Sequence, residues 1–130
     1  MTHIKHFTFT ILTTIAITLL SVLPFTEETP LDEVPFIDKW VHMVMYAGLA
    51  FMMWVDMKCY KRRPSTTPYA MMFVYPTLLG GLLELVQAYC TTCRSGEWFD
   101  FLADSLGSLI MTVCCYIVSF VWQKRISAQR

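Results

Sequence analysis

The sequence predicts an all-α integral membrane protein: a four-helix bundle with both termini in the cytoplasm. Three observations carry that expectation. First, 55% of the 130 residues are hydrophobic and only 15% are charged, with a mean hydropathy of +0.49, which is far more apolar than an ordinary soluble domain. Second, four apolar stretches cover about residues 7–25, 36–55, 69–89 and 99–122, and each is long enough to cross about 30 Å of hydrocarbon as a helix. Third, the basic residues segregate by segment as the positive-inside rule requires. The four stretches fill most of the chain, so residues 1–130 read as one transmembrane domain.

The first stretch follows Lys5 and ends near Ser21 and Pro24, an arrangement a cleaved signal peptide would share. Its apolar core is long for that role and no small-x-small cleavage site precedes Pro24, which favours an uncleaved helix. Thr8, Thr10, Thr13, Thr14 and Thr18 can bond back to their own helix carbonyls in lipid. The connector from Thr26 to Pro35 holds four carboxylates and is bordered or broken by Pro24, Pro30 and Pro35, so it is not expected to be helical throughout.

The second stretch ends at a basic connector, Lys58 to Pro68, read as a topology determinant that also meets anionic headgroups. In the third, Gly80 and Gly81 lie mid-span near Pro76, and in the fourth lies Gly107. Small residues of this kind let helices approach closely in lipid, and Pro76 could kink the third helix. Trp40, Trp54, Trp98 and Trp122 fall near helix ends, as an aromatic belt does. Cys114 and Cys115 read as small packing residues, whereas Cys90-x-x-Cys93 is open to either a disulfide or two free thiols.

With four spans, Lys5, Lys58, Lys61, Arg62, Arg63, Lys124, Arg125 and Arg130 lie on one side, leaving Lys39 and Arg94 on the other. That side receives Glu27, Glu28, Asp32, Glu33, Asp38, Glu97 and Asp100. A net charge of zero therefore conceals a polarised molecule. No glycine-rich phosphate loop or basic nucleic-acid face is present, and neither a cofactor nor a resident metal is expected. The bilayer is the expected partner; nucleic acid is not.

Ionisable groups within apolar spans are costly and usually mark a site. Asp38, His42 and Tyr46 recur every four residues on the second helix, Glu84 and Gln87 share a face of the third, and Asp100, Asp104 and Gly107 form a stripe on the fourth. At about 1.5 Å per residue, His42, Glu84 and Asp104 each lie roughly 6–8 Å below a helix mouth. These residues, with Lys39 and Arg94, form a candidate polar pocket open to the extracytoplasmic side. One alternative is that they only pair with one another to hold the bundle, for instance Arg94 with Glu84 or Asp100.

Favouring a site, the carboxylates Asp38, Glu84, Glu97, Asp100 and Asp104 outnumber Lys39 and Arg94, so they should take up protons or attract a cation. His42 beside them could relay a proton or ligate a metal. Ser95 and Ser105 lack a nucleophile-elbow setting, so an enzyme is not indicated.

The order Asp38-Lys39-x-x-His42-x-x-x-Tyr46, then Glu84-x-x-Gln87, Arg94, Asp100 and Gly107 resembles the VanZ-like membrane proteins, over roughly residues 36–120. Asp104 departs from the pattern, since the family usually carries Asn there. The resemblance implies a small multi-pass protein of the bacterial cytoplasmic membrane, whose best-known relative contributes to teicoplanin resistance. It also implies a shared polar site at Asp38, His42, Glu84, Gln87, Arg94 and Asp100. Binding of a cell-envelope lipid or peptidoglycan precursor is the expected activity. An intramembrane enzyme acting on a lipid-linked or phosphate-bearing envelope substrate is the alternative, with Glu84 or Asp100 as base and His42 as acid or metal ligand.

Overall fold

A computed structural model describes residues 7–22, 36–59, 66–90 and 97–129. It has four helices: α1 (Thr8–Val22), α2 (Ile37–Cys59), α3 (Thr66–Cys90) and α4 (Trp98–Ala128). The expectations placed on Lys5, the 26–35 connector, Lys61–Arg63, Cys93, Arg94 and Ser95 lie outside the described residues.

Three of the helices, α2, α3 and α4, are long and apolar enough to cross a membrane. With 15 residues, α1 is shorter than a full span and shorter than the 7–25 stretch; residues 23–25 are not described. The other three outrun their apolar stretches, α2 to Cys59, α3 back to Thr66 and α4 to Ala128. Hydropathy marks where lipid contact ends, whereas the backbone ladder continues as long as polar residues keep helical geometry. At these extensions, the Lys58 ammonium stands 5.5 Å from the Trp54 ring centroid and 6.0 Å from that of Trp122. Lys124 stands 5.2 Å from Phe120. Long cationic side chains thus lie back over aromatic rings at the end of the bundle.

Successive helices alternate in direction. Thr10 of α1 meets Asp56 of α2, Tyr69 of α3 stacks edge-on against Tyr116 of α4, and Lys39 of α2 meets Asp100 of α4. So α2 and α4 run parallel to each other and antiparallel to α1 and α3. The α2–α4 contact is the most extensive in the bundle. Its cause is a stripe of small residues on α4, Ala103, Gly107, Ser108, Thr112, Cys115 and Ser119, all buried. At Gly107 the backbones touch, since a Cβ there would collide with the Met43 carbonyl.

Two apolar clusters fill the interior: Ile17, Tyr46, Leu49 and Leu83, and Met53, Met72 and Cys115. Cys114, expected to pack like Cys115, is exposed instead, because adjacent positions on a helix face directions about 100° apart. Pro76 is buried within a continuous α3.

The burial pattern inverts that of a soluble protein. Leu78, Val44 and Leu102 are more than half exposed, while Thr10, Ser21, His42, Asp56, Gln87 and Asp104 are buried. A continuous apolar exterior of this kind needs a nonaqueous surrounding. The chain is an all-α membrane protein.

Candidate functional site

The N-terminal ends of α2 and α4 and the C-terminal end of α3 converge at one end of the bundle. Parallel α2 and α4 bring their polar stripes side by side, so residues about sixty apart in sequence meet. The His42 Nδ1 lies 2.9 Å from Asp104 Oδ1, and its Nε2 lies 4.0 Å from Asp100 Oδ2. One imidazole therefore sits between two carboxylates a helical turn apart. Lys39 donates to Glu97 Oε2 at 3.2 Å and to Asp100 Oδ1 at 3.3 Å. Glu84 joins from α3: its Oε2 accepts the Glu97 backbone N–H at 2.8 Å, at the N-cap of α4. A carboxylate is well placed there, because helix N-termini carry unpaired N–H groups and a positive dipole end. His42, Glu84 and Asp104 each offer a ligand atom within 4.8 Å of the other two.

The remaining sequence candidates divide. Tyr46 lies one turn below His42, fully buried against Leu49 and Leu83. Gln87 is buried but serves another junction, its Nε2 donating to the Ser21 carbonyl at 2.9 Å and so tying α3 to α1. Asp38 is exposed at the start of α2, since its position falls off the face that buries His42. Arg94 lies outside the described residues.

Asp104 is the least accessible of these groups, 0% exposed, and its Oδ2 has no hydrogen-bond partner. That oxygen lies against Gly80 of α3, where a Cβ would stand 2.6 Å away. A buried carboxylate oxygen without a donor is costly, so something must compensate it. The imidazole–carboxylate pair suits proton transfer, and the three-helix donor set suits a cation.

Beside this cluster, an apolar groove of about 500 Å³ runs between α3 and α4. Leu78, Gly81, Leu82, Leu85 and Phe101 line it, and Glu84 and Glu97 stand at its polar rim. No family model, curated protein or solved structure matches the chain significantly.

Two features were not anticipated from sequence. Asp56, placed by hydropathy just past the second apolar stretch, is in fact 1% exposed inside α2. Its Oδ2 accepts from the Thr10 N–H at 2.8 Å and the Thr10 hydroxyl at 2.7 Å, and its Oδ1 from the Phe9 N–H at 3.4 Å. It caps α1 from a neighbouring helix. The available signal was an acid standing alone beside a cluster of lysines and arginines. Trp54, read as a belt residue, donates from its indole to Ser119 at 3.0 Å and so locks α2 to α4.

Proposed function

We propose that the protein is a small, multi-pass VanZ-like protein of the bacterial cytoplasmic membrane that binds a lipid or lipid-linked cell-envelope molecule at its extracytoplasmic end. The observation that carries the reading is the α3–α4 groove, an apolar channel whose rim is formed by Glu84 of the His42–Asp104 cluster and by Glu97. An amphiphile with a chain along Leu78 and Leu82 and a polar head at Glu84 matches that division. Lys58, Lys124 and Arg125 gather at the opposite end, which supports placing that end and both termini in the cytoplasm. Here α1 is the fourth span, reaching from the level of Asp56 to that of Gln87.

Native mass spectrometry of the protein in mild detergent tests the reading. Ala88 also lines the groove: wild type should retain a lipid-sized ligand, and Ala88→Trp, which places an indole there, should lose it while melting normally. Equal retention by both proteins would refute binding in the groove.

A second reading, an intramembrane enzyme on a lipid-linked or phosphate-bearing substrate, is favoured by the buried His42–Asp104 hydrogen bond, which would orient the imidazole for acid–base work. Turnover of such a substrate, abolished in a folded Glu84→Gln protein, would select it.

A further inference from the structure

We propose that His42, Glu84 and Asp104 form a three-ligand site for one divalent transition-metal cation, Mn²⁺ or Zn²⁺, held between α2, α3 and α4. The donor set is one imidazole and two carboxylates, each contributed by a different helix, with ligand atoms within 4.8 Å of one another. Such mixed nitrogen and oxygen sets suit first-row divalent ions, and three protein ligands leave positions for water or substrate.

The spacing fits. Two donors bound at about 2.1 Å stand about 3.0 Å apart at a right angle and about 3.4 Å apart at the tetrahedral angle. His42 Nδ1 and Asp104 Oδ1 are 2.9 Å apart. Glu84 gives one oxygen to the Glu97 N–H, which leaves its other oxygen for a cation.

An independent observation points the same way. Among the described residues, three buried side-chain oxygens lack a partner, Thr77 Oγ1, Thr112 Oγ1 and Asp104 Oδ2, and only the last belongs to an ionisable group. A neutral imidazole and two carboxylates sum to a charge of minus two, which a divalent ion balances. Lys39, the only lysine or arginine at this end among the described residues, is already engaged by Glu97 and Asp100. Asp100 also stands 4.0 Å from His42 Nε2, the side from which an outer carboxylate orients a ligating imidazole.

The test uses the full chain, purified in mild detergent with a tag that contains no histidine. Elemental analysis should find about one Mn²⁺ or Zn²⁺ per chain. After stripping with EDTA, Mn²⁺ titration followed by EPR should saturate at one equivalent, with Zn²⁺ competing for it. His42→Gln, Glu84→Gln and Asp104→Asn should each weaken binding at least about tenfold, whereas Asp38→Asn, an acid lost at an exposed position, should not. Circular dichroism of each metal-free variant establishes that it folds; should His42→Gln fail to fold, Asp104→Asn, which keeps the shape of its parent, decides. Absence of saturable binding by folded wild type overturns the site. So does wild-type affinity in folded Asp104→Asn.

Discussion

Asp104 and Gly80 fit together as a carboxylate and the space it needs: a Cβ at Gly80 would stand 2.6 Å from Asp104 Oδ2 and 3.1 Å from its Cβ. Both partners are buried on facing helices, and the aspartate is too short to swing aside without leaving His42. Gly80→Ala should therefore destabilise the protein by about 1–3 kcal/mol through overpacking, despite the roughly 1 kcal/mol that alanine gains in helix propensity. Thermal melting in detergent measures it. A rise in melting temperature would mean that Asp104 has room to move.

Gly107 and Gly48 make a sharper comparison, because both are helical glycines and only one is crowded. A Cβ at Gly107 meets the Met43 carbonyl, which is backbone and cannot rotate away, whereas at Gly48 nothing lies within 4 Å. Gly107→Ala should part α2 from α4 and cost more than about 3 kcal/mol, at the large end of single-residue effects. Gly48→Ala should be neutral or stabilising by up to about 1 kcal/mol. Denaturation in a mixed-micelle titration would separate the two.

Asp56 should matter far more than its place beside a basic connector suggests. Asp56→Ala removes the acceptor for the Phe9 and Thr10 N–H groups and the Thr10 hydroxyl, at a cost of about 1–3 kcal/mol. Asp56→Asn keeps one carbonyl acceptor and should cost less. If both leave the melting temperature unchanged, the Asp56 cap contributes nothing to holding α1.

Lys39→Ala should lower the melting temperature only slightly, because the ammonium and its Glu97 partner are partly exposed and solvent screens the pair. A loss several times larger, in the same melting assay, would show that Asp100 depends on Lys39 for its charge balance.

Orientation has its own test, motivated by the eight-to-two division of lysines and arginines between the two sides. In a cysteine-free background, single cysteines at Glu28 and Ser95 should react with an impermeant thiol reagent from outside intact cells, and those at Arg62 and Gln129 only after permeabilisation. Labelling of position 62 from outside would invert the protein and move the candidate site to the cytoplasmic face.

Composition and hydropathy alone determined that this chain is helical and lives in a membrane. Unbroken apolar runs of this length cross lipid as helices, which bond every backbone group within the segment. The four-residue spacing of Asp38, His42 and Tyr46 likewise marked a polar stripe, yet spacing could not say that Asp38 faces outward while His42 faces in, because a stripe drifts about 40° every four residues. Nor could it assign Gln87 to α1 or Asp56 to a cap, since both depend on which helix lies opposite. The tertiary structure decided these last two through the packing of α1 against α3 and α2, and the place of His42 through the parallel approach of α2 and α4, permitted where Gly107 meets Met43. That approach sets His42 between Asp100 and Asp104 and turns separate intrahelical patterns into one buried cluster.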